Sequence, residues 1–415
     1  MYKEEILFLG GVFPKHLENE VFKKSKGNMQ NAANALQWNI IEGLEKNLGR
    51  PINLMNLMFI GSYPQKYQDI RIRKTFFSHA QGAKDVNIGF FNLTGIKQFL
   101  LKAAVEKELI VWAEQNKKSK KILIIYSAQS FFLEAAYNLK EKYKEISISL
   151  IVPDLPEYMS LENKESFFRS IIKKRNQKII AKKIDSVDSF ILLTKDMADY
   201  FKIKKPYEVI EGMVKSRKID INEKQIFGKN NIKTVTYTGT LTKKYGIMDL
   251  VYAFMDIKND NYNLVICGRG ETEDEIKELA KKDLRIKYLG LLPYKKVQKL
   301  QENSTLLVNP RKNNESYTKY SFPSKLLEYL SSGTPVLAYN LDGIPKEYEN
   351  YIWYLKNDSQ IHLTKKIIEC CEMSESSLRQ KGLENIKFVN QEKNSIIQCK
   401  KILKLINIDS QYNSL

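Results

Sequence analysis

The stretch "TKYSFPSKLLEYLSSGTPVLA", residues 318–338, reads as a short helix running straight into a strand. Pro323 suits the first helical turn, Ser321 or Ser324 is placed to cap it, and Gly333 ends it before the apolar "TPVLA". Working outward, strands are expected at 233–238, 262–267, 285–289, 305–309 and 335–338, with helices at 246–257, 271–282, 293–303 and 324–331 between them. The first half keeps the same rhythm. Strands are expected at 5–10, 52–59, 86–91, 121–126, 146–152, 189–194 and 207–210, with helical stretches such as 28–47 and 130–143. Strand–helix alternation predicts a doubly wound parallel sheet, and two such runs predict two Rossmann-like domains in tandem. Between them "MVKSRKIDINEKQIFGKNN", starting at Met213, is polar and aperiodic and reads as a linker. The amphipathic "NSIIQCKKILKLINI", 394–408, is expected to pack as a last helix, and the final "DSQYNSL" to fray.

Length and composition agree with two globular domains: 415 residues, 43% hydrophobic and 28% charged. No apolar run approaches the roughly 18 residues a membrane-spanning helix needs, and "MYKEEILFLGG" is too short for a signal peptide and reads as a first buried strand. A cytoplasmic protein is expected. Cys267, Cys370, Cys371 and Cys399 lack a C-x-x-C spacing and read as reduced, packed thiols. His16, His79 and His362 are scattered, which argues against a zinc site. The formal net charge of +19 fits either a lysine-rich composition or an anionic partner. No recognised nucleic-acid module accompanies it. Its densest mixture is "KESFFRSIIKKRNQKIIAKKI", 164–184, where Phe167, Phe168, Ile171, Ile172, Ile179 and Ile180 sit beside Arg169, Lys173, Lys174, Arg175, Lys178, Lys182 and Lys183. Two readings stand for this helix: a face lying on an acidic membrane surface, or a core-facing helix with a solvated basic side.

In the opening stretch, Lys325 and Glu328 lie one turn apart on one helix face. A cation in the first turn opposes the helix dipole, a conflict that a bound phosphate would resolve, and a carboxylate can accept two hydroxyl hydrogen bonds, as a ribose offers. A plain surface ion pair is the alternative. Arg311 follows a strand end, where open α/β sheets bind ligands, and its planar fork suits a diphosphate. Gly239 and Gly268 follow two further strands, and their missing side chains would let a ligand approach the backbone.

"YTGTLTKKYGIMDLVYAF", "LVICGRGE", "IKYLGLLPYKKVQKLQENSTLLVNPR" and "KYSFPSKLLEYLSSGTPVLA" resemble, in order and spacing, the donor domain of glycosyltransferase family 4, in particular its bacterial polysaccharide-assembly enzymes. The resemblance covers roughly 234–356, and the N-terminal half is similar only in outline. It implies a GT-B fold: two Rossmann-like parallel-sheet domains facing each other across a cleft. An acceptor-side domain would span 1–212, with a C-terminal helix at about 391–415 packing back onto it, and a donor-binding domain would span 213–390. It implies a metal-independent, retaining glycosyltransferase of hexosyltransferase type, with no cofactor. The sugar would pass from a UDP-sugar to a saccharide or lipid-linked saccharide in bacterial surface polysaccharide synthesis, at the inner face of the cell membrane. The acceptor hydroxyl would attack on the leaving-group face, with a donor phosphate oxygen taking its proton.

Carried over residue by residue, the resemblance makes Glu328 the ribose carboxylate, with Arg311 and Lys325 on the donor diphosphate. Gly239, Thr240, Lys244, Gly268, Arg269, Tyr320, Ser321, Phe322, Pro323 and Ser324 complete the donor side. Gly10, Gly11, Asn28 and Glu211 border the acceptor side, and Asp154 joins Lys325 as a candidate catalytic group. Departures are plain. Tyr320 stands where the family has a second glutamate, Thr240 and Tyr245 stand for an arginine and a lysine, and Pro153 stands for a histidine. A non-catalytic partner subunit with this fold is the rival reading. Metal-bridged transfer would use a D-x-D, which does not occur, and no P-loop motif is present.

Overall fold

The computed structural model describes residues 4–26, 29–93, 97–155, 167–215 and 231–410, with backbone alone for 167–169. The chain divides into two compact units, Met1–Met213 with Ser395–Leu415, and Val214–Asn394. Candidate Asn28, residues 164–166 of the basic segment and most of the linker (216–230) lie outside the described residues.

The first unit runs β1 (Glu5–Gly10), α1 (Glu18–Lys24), α2 (Asn31–Leu48), β2 (Asn53–Asn56), β3 (Arg71–Ile72), β4 (Thr75–Phe77), β5 (Asp85–Asn87), β6 (Phe90–Phe91), α3 (Lys97–Glu114), β7 (Lys121–Tyr126), α4 (Ser130–Lys142), β8 (Ser147–Val152), α5 (Phe167–Lys183), β9 (Ser189–Leu192), α6 (Asp196–Tyr200) and β10 (Tyr207–Val209). Its eight-stranded sheet has the order β10-β9-β8-β7-β1-β2-β5-β4. Every pairing is parallel except β4 with β5. Central strands such as β7 are buried at every position, which is why they read as unbroken apolar runs.

The strand expected at 86–91 is two short pieces around Gly89, where a Cβ would sit 2.6 Å from the Lys74 nitrogen. Helix α3 was not foreseen. Its apolar residues surround it: Leu101, Val105, Leu109 and Trp112 are buried, while Phe99, Leu100 and Val111 are exposed, so no clean 3.6-residue stripe marks it.

The second unit runs β11 (Lys233–Thr238), α7 (Ile247–Met255), β12 (Tyr262–Cys267), α8 (Glu273–Lys282), β13 (Ile286–Tyr288), α9 (Tyr294–Glu302), β14 (Leu306–Asn309), α10 (Lys325–Ser331), β15 (Val336–Tyr339), β16 (Ile352–Leu355), α11 (Gln360–Cys371) and α12 (Glu375–Glu392). Its six strands are all parallel, in the order β13-β12-β11-β14-β15-β16. The order reverses beside β11, so the C-terminal ends of β11, β12 and β14 border the switch point where such sheets bind ligands.

The last helix, α13 (Ser395–Leu405), belongs to the first unit and packs on α2. Gly43 permits the approach, since a Cβ there would fall 2.3 Å from the Ser395 carbonyl oxygen and 2.6 Å from Cys399 Sγ. All four cysteines are buried and unpaired. Among the described residues no helix is long and apolar enough to cross a membrane.

Candidate functional site

At the C-terminal end of β11 three elements are tied together. Tyr329 of α10 donates its hydroxyl to the Thr238 carbonyl (3.1 Å) and accepts from the Thr238 N–H (2.8 Å). Gln301 of α9, 1% exposed, donates from Nε2 both to Thr238 Oγ1 (2.8 Å) and to Glu328 Oε1 (2.9 Å). The other carboxylate oxygen of Glu328 accepts from Lys325 Nζ at 2.7 Å. Thr238 is thus a hub, and the Glu328 carboxylate is held from both sides. Burial pushes the nearby Cys267 thiol upward, and Lys325 and Glu328 are both close enough to act on it, which sets the pair beside the end of β12.

Arg311 follows β14 and is only 9% exposed. Its guanidinium lies between the Tyr245 and Tyr317 rings, 5.2 and 4.9 Å from their centroids, and Nη2 donates to Ser321 Oγ at 3.0 Å. Its Nε is buried with no acceptor, and the side chain pairs with no carboxylate among the described residues. Aromatic faces offset part of a cation's desolvation, on the order of 1–2 kcal/mol. They do not replace an anion.

Several expectations change here. Neither serine caps α10: Ser324 sits at the N-cap position without a side-chain cap bond, and Ser321 is engaged with Arg311. The seven-residue α10 is too short for its dipole to carry the anion argument, and the Lys325 charge is paired with Glu328. Of Arg311 and Lys325, the cation with no carboxylate partner among the described residues is Arg311. The glycines do not open the backbone to a ligand either. A Cβ on Gly268, at φ +150°, would lie 1.8 Å from the Gly239 carbonyl oxygen, so the missing side chain admits another loop of the same chain. Those two loops are laced together by Leu241 N–H to the Arg269 carbonyl (2.9 Å) and by Thr242 Oγ1 to Glu271 (2.7 Å). The Thr240 carbonyl accepts from Tyr237 (2.8 Å), while the Lys244 and Arg269 side chains point to solvent. Phe322 is a core residue whose ring is tilted against Tyr348, Pro323 is buried beside it in sequence, and Tyr320 is half-buried.

In the first unit, Gly10 and Gly11 are likewise occupied by the chain itself. Gln37 Oε1 accepts from the Gly11 N–H at 2.7 Å, and a Cβ on Gly11 would strike the Phe59 ring at 2.1 Å. Asp154, just past β8, is exposed, and Glu211, just past β10, is 4% exposed. Burial raises the phenol pKa of Tyr126, whose hydroxyl has no partner, and Asp154 adds to that rise. Among the described residues no group of His, Cys, Asp or Glu could hold a metal ion.

Residues unforeseen from sequence are Gln301, Thr238, Tyr329 and Tyr317. Tyr329 adjoins Glu328 and Tyr317 lies six residues after Arg311, but Gln301 sits in the polar run "VQKLQEN" with nothing to mark it.

Residues 218–387 match the family model described as glycosyl transferases group 1. No curated protein matches the chain in sequence. Among solved structures, the chain is similar to sucrose-phosphate synthase from Thermosynechococcus elongatus, at 12% identity and a TM-score of 0.64, over 97% of this chain and 99% of that one. It is similar to the lipopolysaccharide outer core galactosyltransferase WaaB, at 14% identity and 0.62, over 97% and 99%. HepE of Anabaena in complex with UDP aligns at 14% identity and 0.61, again over 97% and 99%. The chain therefore has the GT-B fold, built from two Rossmann-like units, and its second unit carries the segment that matches glycosyl transferases group 1.

Proposed function

We propose that this chain is a family 4-type glycosyltransferase that moves a sugar from a UDP-sugar to a saccharide or lipid-linked saccharide acceptor, with retention and without metal, in assembly of a bacterial surface polysaccharide inside the cell. The observation that carries the reading is Arg311: a buried guanidinium with an unsatisfied Nε, at the switch point of a parallel sheet, held in place and lacking an anion. A donor diphosphate supplies that anion. In this reading Glu328, steadied by Gln301, accepts from the ribose hydroxyls, and Lys325, which pairs with that carboxylate, also serves the donor phosphates. The UDP bound to the structurally similar HepE supports the choice of nucleotide. As the glycosidic bond breaks, negative charge grows on the leaving diphosphate, and Arg311 and Lys325 are positioned to stabilise it. The first unit takes the acceptor role, with Gly10, Gly11, Asn28, Asp154 and Glu211 as its candidates.

The test is nucleotide binding followed by calorimetry with UDP, GDP and ADP. UDP is expected to bind best, and Arg311→Ala and Lys325→Ala each to weaken it by roughly 1–3 kcal/mol, the scale of charge-assisted hydrogen bonds. Near-wild-type UDP affinity in both variants overturns the assignment. Tyr320, in place of a glutamate, favours one alternative, a non-catalytic partner subunit. That reading predicts UDP binding with neither hydrolysis nor transfer from UDP-sugars.

A further inference from the structure

Two rings from separate loops flank Arg311, and the backbone explains why both are there. Tyr245 closes the short turn Lys243–Tyr245 that follows β11, and Tyr317 immediately precedes the turn Thr318–Tyr320. After Tyr245 comes Gly246, at φ +72°, where a Cβ would lie 2.1 Å from the Pro310 carbonyl oxygen. Only glycine lets the β11 loop come this close to the end of β14, and the approach sets Tyr245, the neighbour of Gly246, against Arg311, the neighbour of Pro310. On the other side, Thr318 is 2% exposed, and its hydroxyl bonds Asn313 Oδ1 (2.6 Å) and the Glu315 carbonyl (2.7 Å). Asn313 Nδ2 donates in turn to Asp342 Oδ1 at 2.8 Å. A Cβ on Gly343 would lie 2.2 Å from the Ser321 carbonyl oxygen and 2.5 Å from that of Thr318, so the stretch carrying Tyr317 and Ser321 is fastened against the turn at 342–343.

Two other cations of these loops are paired elsewhere, Lys312 with Asp249 (2.9 Å) and Lys243 with Glu275 (3.3 Å). Arg311 instead meets two aromatic rings and one neutral hydroxyl, that of Ser321. A carboxylate in place of either tyrosine would hold the arginine but cancel its charge. A ring face attracts a cation without neutralising it, so the full charge stays available to a ligand. Rings on both sides of a planar group also leave its edge, where the N–H bonds point, as the approach for ligand oxygens.

We infer, resting on the donor reading proposed for this site, that Tyr245 and Tyr317 are positioning residues: together they fix the plane of the Arg311 guanidinium so that its N–H edge, still fully charged, receives the oxygens of the donor diphosphate. Each tyrosine acts through Arg311 rather than on the nucleotide. The orientation of residue 311 then matters as much as its charge, and the ring faces of this clamp matter more than the phenol hydroxyls.

The test is calorimetry of the full chain with UDP, on single and double variants. Arg311→Ala and Arg311→Lys are each expected to weaken UDP by about fivefold or more, the lysine because an ammonium has no plane for the rings to hold. Tyr245→Leu and Tyr317→Leu should each cost about fivefold in the wild-type background, and under about twofold once Arg311→Ala is present, since their effect passes through the arginine. Tyr245→Phe and Tyr317→Phe, which keep the rings, should recover most of what the leucines lose. Near-wild-type UDP affinity in Arg311→Ala overturns the donor reading and the clamp with it. A clear loss in Arg311→Ala beside wild-type affinity in both leucine variants overturns the clamp alone. So do leucine losses of equal factor in both backgrounds, or phenylalanine losses as large as the leucine ones. Wild-type affinity in Arg311→Lys overturns it as well, and that variant tests the geometry even where a leucine variant does not fold.

Discussion

Gln301 has no charge and touches no solvent, yet two hydrogen bonds from one nitrogen connect the sheet to the carboxylate assigned to the ribose. A carboxylate held between a lysine and an amide donor stays aimed, and that is a positioning role. Gln301→Leu keeps the volume but strands Thr238 Oγ1 and one oxygen of Glu328, at a cost of about 1–3 kcal/mol in stability. A purely structural residue would stop there. The further expectation is that wild-type protein prefers UDP over 2′,3′-dideoxy-UDP, and that Gln301→Leu loses most of this preference while Gln301→Glu, with a second acid beside Glu328, loses it too. Calorimetry with both nucleotides checks this. If Glu328→Ala itself leaves the preference intact, the ribose assignment fails; if Glu328→Ala abolishes it and Gln301→Leu does not, only the positioning role fails.

At the scale of elements, a buried polar tie joins α2 to β5 in the first sheet. The His79 ring, in the loop between β4 and β5, bonds Asp85 Oδ2 through Nδ1 (2.7 Å) and Glu45 Oε1 through Nε2 (2.8 Å). Asp85 also receives the N–H groups of Leu54 and His79, and Glu45 that of Ile52. Burial alone would push the imidazole pKa down, but the hydrogen bonds to Asp85 and Glu45 outweigh it and raise it to about 9. A raised folded-state pKa stabilises through the protonated form. The contribution is fully present below the unfolded value of about 6.5 and is lost as pH rises through about 9. Thermal melts from pH 6 to 10 should therefore show stability falling across that window. His79→Gln should flatten this part of the profile, and His79→Ala, which leaves Asp85 buried without a cation, should cost roughly 3–5 kcal/mol. An unchanged slope in His79→Gln would show that other groups set it.

For the molecule as a whole, the proposed function assigns charge compensation at the donor to side chains. The sequence contains no D-x-D, and the described residues offer no acidic or imidazole cluster suited to a cation. With Arg311 and Lys325 beside the proposed diphosphate, donor turnover is expected to continue in EDTA at about the untreated rate, checked by release of UDP from UDP-sugar. Complete loss, restored by Mg²⁺ or Mn²⁺, would sink the metal-free reading. The net charge of +19 acquires a partial address in the same view: one share is the Arg311 guanidinium of the second unit, another the acid-free stretch 167–183 of the first.

The sequence by itself determined nearly every strand of the second sheet to within a residue or two, because parallel strands buried on both faces must be continuous apolar runs, and amphipathic helices between them must repeat at 3.6 residues. It also placed Lys325 and Glu328 on one helix face, since three residues along a helix are neighbours whatever surrounds them. Tertiary structure alone decided the rest. Thr238 meets Tyr329 across 91 residues, and Gln301 meets Glu328 across 27, through the order in which strands and helices pack rather than through any local period. Whether Arg311 is a solvated surface charge or a buried one without a counter-ion, and whether Ile171 and Ile172 face a core or water, are matters of desolvation. Desolvation is a property of the assembled neighbours, and no residue carries it in its own identity.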